Sequence, residues 1–127
     1  MDQTLGEALA TLGIKPHQSL EGKLITITGA ASGIGRATAT LLSSRGAVLG
    51  LADIQQKPLD ELADKLTASG AKVYTSTVNV ADRAAVEAWI TTLVKEVGKP
   101  LDGAVKYVPP ISPISPHHIS ILVLVLT

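Results

Sequence analysis

A chain of 127 residues suits a single domain, and its eleven basic and eleven acidic residues cancel. That balance removes any electrostatic case for nucleic acid or an anionic membrane surface as partner. There is no cysteine, so disulfides, thiolate metal sites and a cysteine nucleophile are excluded; three histidines make a poor metal-site inventory. Residues Met1 to Lys15 carry Asp2 and Glu7 but no basic n-region, which argues against a secretory signal. The apolar run Ile119 to Leu126, interrupted by Ser120, is far short of the roughly 20 residues that span a bilayer. The expectation is a soluble, cytoplasmic protein. Hydrophobic residues make up 46% of the chain and aromatics only 2%, with no Phe, so a core must be built from Val, Ile, Leu and Ala. That is the usual filling of a parallel sheet buried on both faces.

Residues 1–20 read as an N-terminal arm with a short amphipathic piece (Leu5, Ala8, Leu9, Leu12) ended by Gly13. From Lys23 the pattern becomes regular. Leu24 to Thr28 is a β-branched run closed by Gly29, a first strand. Ile34, Ala37, Thr38, Leu41 and Leu42 then recur at helical spacing until Gly46. Ala47 to Ala52 is a second apolar strand closed by Asp53. Pro58 suits a first helical turn, and Leu59, Leu62, Ala63 and Leu66 form one face up to Gly70. Lys72 to Val78 is a third strand. Asp82 is placed to cap a helix with Val86, Ile90, Leu93, Val94 and Val97 facing inward, and Lys99-Pro100 breaks it. Leu101 to Val105 starts a fourth strand.

Strands alternating with helices imply βαβ units and a parallel sheet, and right-handed crossovers give the strand order 3-2-1-4. The fold class is therefore α/β, an incomplete Rossmann-type doubly wound sheet over residues 21–105. Its reversal beside strand one is a switch point of the kind where such sheets bind ligands.

Gly29, Gly33 and Gly35 lie between the first strand and the first helix. A tight turn out of a buried strand needs positive φ or a missing Cβ. A pyrophosphate must approach backbone closely, and the helix that follows offers unpaired N–H groups and the positive end of its dipole. Asp53 follows Gly35 by 18 residues, near the roughly 20 expected for a carboxylate that binds ribose hydroxyls. An acid there repels a 2′-phosphate and favours NAD over NADP. Arg36, just after the loop, is a residue that could meet such a phosphate, although a helix residue of this kind is more often solvated. The competing reading is a strand–turn–helix whose glycines serve packing alone.

The spacing Thr28-Gly29-x-x-x-Gly33-Ile34-Gly35 resembles the short-chain dehydrogenase/reductase family. Leu20-Glu21-Gly22-Lys23 ahead of it, Val78-Asn79-Val80-Ala81-Asp82 after strand three and Leu101-Asp102-Gly103-Ala104-Val105 are similar to that family as well, so the resemblance covers roughly residues 20–105. It implies that Thr28, Gly29, Ser32, Gly33, Ile34 and Gly35 hold the pyrophosphate and adenosine ribose. Asp53 and Ile54 would contact the adenosine, and Asn79 and Val80 would border the adenine. Asn stands at 79 where the family usually has Asp; it keeps one acceptor and gains a donor.

The resemblance stops after Val105. Where the family continues Asn-Asn-Ala-Gly, this chain has Lys106-Tyr107-Val108-Pro109. The family's catalytic Ser and Tyr-x-x-x-Lys pair have no counterpart: Tyr74 is followed four residues on by Val78, and Tyr107 by Ile111. His117 and His118 sit in a Pro/Ser-rich stretch, where histidines are usually solvated. The resemblance thus implies the dinucleotide-binding portion of an NAD(P)-dependent oxidoreductase of alcohols and ketones, inactive as the chain stands. The alternative is a non-catalytic nucleotide-binding or interaction module.

Lys106 to Pro116 carries four of the seven prolines and is expected to continue neither a central strand nor a helix. Lys-Tyr-Val can be encoded AAG-TAY-GTN, which contains the splice-donor sequence GTAYGT. Residues 106–127 then read as translated intron; a genuine short isoform is the other possibility. Either way, strand four is expected to be an unprotected edge on an undercovered sheet, and the chain is expected to self-associate.

Overall fold

The computed structural model describes residues 19–31, 33–79, 81–108 and 120–125. The chain alternates strand and helix as the apolar periodicity requires: β1 (Leu24–Thr28), α1 (Gly33–Ser44), β2 (Val48–Asp53), α2 (Gln56–Ala68), β3 (Val73–Thr77), α3 (Arg83–Val97), β4 (Gly103–Val108) and β5 (Ser120–Val125). The sheet order is β3-β2-β1-β4-β5, with the first four strands parallel and β5 antiparallel to β4. The 3-2-1-4 order deduced from crossover handedness is thus present, extended by one strand.

Alternation along the central strands builds two cores. Register sets Leu51 of β2 beside Ile27 of β1, and Ile27 beside Val105 of β4. These three, with Ile25 and Leu49, face α1 and α2, which contribute Ala39 and Leu42, and Leu59, Leu62 and Leu66, respectively. Leu20, from the stretch ahead of β1, is buried in the same core, and its N–H donates to the Arg45 carbonyl at 2.8 Å. The opposite face holds Leu24, Ala52 and Val78 against Trp89 and Leu93 of α3. Trp89 is buried although the aliphatic pattern does not include it; it lies on the same helical stripe, three residues after Val86 and four before Leu93. Gly50 of β2 leaves the space that Leu93 fills, since a Cβ there would overlap the Leu93 side chain.

α3 begins as expected: the Asp82 side chain accepts the Ala85 N–H at 3.1 Å. It ends at Gly98, whose φ of +79° lets its N–H reach the Val94 carbonyl at 2.9 Å.

Two expectations about the fourth strand are corrected. β4 does not stop at Val105 but runs through Lys106, Tyr107 and Val108, because the first missing N–H is at Pro109 and a proline biases the residue before it, Val108, toward extended backbone. Nor is β4 an unprotected edge. β5 pairs with it from Gly103↔Val125 to Val108↔Ser120, so among the described residues the sheet edge on this side is β5. A β-prone, uncharged segment supplies the backbone donors and acceptors that β4 would otherwise leave to water.

Candidate functional site

β1 delivers the chain to the carboxyl end of the sheet, beside the point where strand order reverses. There Gly29, at φ +70°, turns the backbone in a conformation that side chains strongly disfavour. The Ala30 N–H donates to the Ala52 carbonyl at 3.2 Å, carrying the β1–β2 pairing two residues past the end of β1. The next N–H, on Ala31, donates to Asp53 Oδ2 at 3.0 Å. α1 then starts at Gly33, which is exposed, and a Cβ added there would meet nothing within 4 Å. Gly35 is the opposite case. A Cβ there would overlap the Gly29 carbonyl oxygen and come within 2.8 Å of Ala30 Cα. The helix therefore presses directly onto the turn that precedes it, and only glycine allows that approach. No acidic residue occupies the first turn of α1, so its positive end is not neutralised within the helix. Ile34 and Arg36 follow in that turn, both half-buried.

Asp53 closes β2 and is only 8% exposed. Its Oδ2 holds Ala31, and its Oδ1 accepts the Gln55 N–H at 3.0 Å. A carboxylate offers about four lone-pair sites, so two remain for hydroxyl donors. Ile54, between the two bonded positions, is turned out and 63% exposed. The end of β3 lies alongside, where the Val78 N–H donates to the Asp53 carbonyl at 3.1 Å. Asn79 follows and is exposed; its Oδ1 accepts the Ala81 N–H at 3.0 Å and its carbonyl accepts the Asp82 N–H at 2.9 Å.

The structure thus brings Gly29, Gly33, Ile34, Gly35, Asp53, Ile54 and Asn79 to one end of the sheet. Ser32 and Val80, also singled out from the sequence, lie outside the described residues. Thr28 differs from the rest: its Oγ1 is buried and has no hydrogen-bond partner among the described residues. Tyr74 takes no part, being packed against the α3-side core. The Ala31 and Gln55 amides are the members of the site that sequence reasoning missed, because every residue type but proline carries such a donor.

A cavity of about 610 Å³ opens at the other end of the sheet, among Glu21, Ser44, Arg45, Gly70 and Lys72. It is bordered by the carbonyl ends of α1 and α2, where the helix dipole disfavours an anion. The glycine loop, not this cavity, has the geometry for a diphosphate. The fit is physical: space above Gly33, a helix start pointing at it, a carboxylate for hydroxyls and an exposed aliphatic side chain for a flat apolar ring. Among the described residues no group of His, Asp or Glu is arranged to hold a metal, and no helix is long and apolar enough to cross a membrane.

A parallel α/β sheet whose first crossover opens in such a loop is a dinucleotide-binding half-fold. The chain belongs to the short chain dehydrogenase family, whose model matches residues 23–107. It is similar to the short-chain dehydrogenase/reductase aba4 of Botryotinia fuckeliana, with 48% identity over 88 residues, 68% of this chain and 34% of that protein. Among solved structures, a short chain dehydrogenase/reductase from Burkholderia phymatum in complex with NAD superposes with a TM-score of 0.61 and 38% identity, over 64% of this chain and 29% of that one. Carveol dehydrogenase from Mycobacterium avium in complex with NAD gives 0.63 and 29%, over 67% and 35%. The chain spans about a third of the length of these three proteins, and it corresponds to the N-terminal portion of a family oxidoreductase.

Proposed function

We propose that this chain binds the adenosine diphosphate half of NAD, in preference to NADP, as the cofactor-binding portion of an alcohol or ketone oxidoreductase. The observation that carries this reading is the direct bond from the Ala31 N–H to Asp53 Oδ2. It makes the diphosphate loop and the ribose-binding acid one continuous site. In this reading Thr28, Gly29, Ser32, Gly33, Ile34 and Gly35 form the cradle of the diphosphate. Gly33 leaves room for phosphate oxygens, and the first turn of α1 supplies N–H donors to them. Asp53 accepts the ribose hydroxyls with its two remaining lone pairs, Ile54 lies against the adenosine, and Asn79 and Val80 border the adenine.

Bound NAD would supply a hydride acceptor; the chain's own residues bind and orient it. Asp53 excludes a 2′-phosphate because a second anion beside a buried carboxylate has no compensating cation among the groups that bond it here. Isothermal calorimetry is expected to show NAD binding and at least about tenfold weaker NADP binding, a difference of about 1.4 kcal/mol. Equal affinities, or a preference for NADP, would refute the assignment of Asp53.

The chain has no Tyr-x-x-x-Lys pair, so the 127-residue chain alone is proposed to bind cofactor without turning it over. In the family such a lysine lowers the tyrosine pKa from about 10 toward neutrality, as proton transfer requires. An assay of NADH consumption with ketone substrates should stay at background. Turnover would show that other residues supply the acid.

A further inference from the structure

Asp53 is bonded to backbone on both sides of itself, and neither bond needs a ligand. Oδ2 reaches back across the sheet to the Ala31 N–H, in the loop before α1. Oδ1 reaches two residues forward to the Gln55 N–H, immediately before α2. Gln55 caps α2 without a side-chain hydrogen bond of its own, so the start of that helix is oriented through its backbone. The forward bond closes an Asx-type turn, a geometry that leaves the residue in between on the outside. That residue is Ile54, at 63% exposure the exposed large hydrophobic side chain among the described residues.

We propose that Asp53 is a positioning residue that fixes the spacing between the diphosphate loop and Ile54, on the adenosine side of the site. This is separate from any hydroxyl that its carboxylate accepts. One side chain, 8% exposed and held by two N–H donors 3.0 Å away, joins the loop before the first crossover helix to the turn before the second. Without it the Ala31 N–H loses its acceptor and the turn holding Ile54 outward opens. The loop and the adenosine contact then move independently, and a ligand must order both on binding. The proposal that they hold a nucleotide rests on the reading above; the clamp itself does not.

Two measurements on the full chain separate these. The first is amide hydrogen exchange without nucleotide. In Asp53→Ala, exchange at Ala31 and Gln55 should quicken at least tenfold relative to the parent chain, while Ile27 and Leu51 in the strand centres stay protected. Asp53→Asn keeps one acceptor and turns an NH2 group toward the other donor, so one of the two amides should quicken and the other should not. If Asp53→Ala does not fold, the asparagine variant and the protection of both amides in the parent chain carry the test. Unprotected Ala31 and Gln55 amides in the parent, or unchanged exchange in the variants, would overturn the clamp.

The second measurement compares ADP with 2′,3′-dideoxy-ADP. A residue that acts only on ribose hydroxyls leaves the dideoxy ligand unaffected when replaced. The clamp predicts that Asp53→Asn weakens the dideoxy ligand as well, by about fivefold or more, although removing a negative charge near a diphosphate should by itself strengthen it. Unchanged or tighter dideoxy binding would overturn the positioning role. If neither ligand binds the parent chain, the nucleotide reading fails while the exchange result still decides the clamp.

Discussion

Asp102 and Leu24 are joined twice, once through backbone and once through side chain. The Asp102 N–H donates to the Leu24 carbonyl at 2.8 Å, and Asp102 Oδ2 accepts the Leu24 N–H at 2.8 Å. The pair ties the start of β1 to the residue just before β4, at the end of the sheet away from the glycine loop. Register between these two strands is thereby set before the first ladder pair, Ile25↔Gly103.

This pair predicts an acid-sensitive component of stability. The Leu24 N–H holds the Asp102 carboxyl below its ordinary pKa; partial burial opposes the shift and Lys99, with Nζ 3.4 Å away, adds to it. In the unfolded chain the same carboxyl titrates near about 3.9. The stabilisation is therefore complete above that value. As pH falls below it the unfolded state takes up the proton first, and the contribution is gone once pH passes below the lowered folded value. Urea unfolding of the parent chain from pH 6 down to pH 2.5 should show stability falling through this window. Asp102→Asn should flatten that part of the slope, and at pH 7 Asp102→Ala should cost about 1.5 kcal/mol, the low end for a hydrogen bond to a charged group because the site is part-exposed. An unaltered slope in the asparagine variant would contradict the role given to this carboxylate.

Thr28 gives a prediction of opposite sign. Its Oγ1 is buried at the end of β1 without a partner among the described residues, a situation that typically costs about 1–3 kcal/mol relative to a satisfied group. Valine has the same shape and no polar atom to desolvate. Thr28→Val should leave the thermal midpoint unchanged or raise it, whereas Thr26→Val, at a fully buried position one turn of the pleat earlier, serves as the neighbouring comparison. A loss of several degrees specific to Thr28→Val would mean that the hydroxyl does hold a partner.

Much of this architecture is legible in residue order. The β-branched run at Leu24–Thr28, the aliphatic stripes of α1 and α2 and the Asp82 cap each follow from local chemistry, and the strand order follows from handedness. The aliphatics of α3 alone define a stripe that omits Trp89, whose spacing fits the same face. The pairing of β5 with β4 was not readable, because an uncharged β-prone segment shows its propensity but not the register it will adopt. In the site, the glycines and Asp53 announce themselves by type and spacing. The Asp53–Ala31 bond does not, since its donor is a backbone N–H and nothing in an alanine marks it.

β5 yields the third prediction. With it in place β4 is an interior strand; ending the chain after Val108 would leave β4 with one open side. Open strand edges template intermolecular pairing, and Lys106 is the one charged residue in β4 to oppose it. The chain ending at Val108 should unfold at a lower temperature and scatter more light at equal concentration than the 127-residue chain. Equal behaviour would show that residues 109–127 contribute nothing to the sheet in solution.

Gly33 and Gly35 separate folding from binding within one loop. At Gly35 a methyl group would run into the backbone of Gly29 and Ala30, and backbone at the end of a buried strand cannot step aside as a side-chain tip can. Gly35→Ala must therefore lift α1 off the turn, with an expected loss of about 1–3 kcal/mol, as for overpacking elsewhere, and with loss of nucleotide binding. At Gly33 the same methyl enters open space in helical backbone, where alanine is favoured over glycine by up to about 1 kcal/mol. Gly33→Ala should hold or raise the thermal midpoint, yet the methyl occupies the space through which a diphosphate would reach the first N–H groups of α1. Calorimetry should show NAD affinity falling by about tenfold or more in a protein as stable as the parent. If Gly33→Ala bound NAD as tightly as the parent, the phosphates would not be approaching the backbone at that point, whatever the stability of the fold.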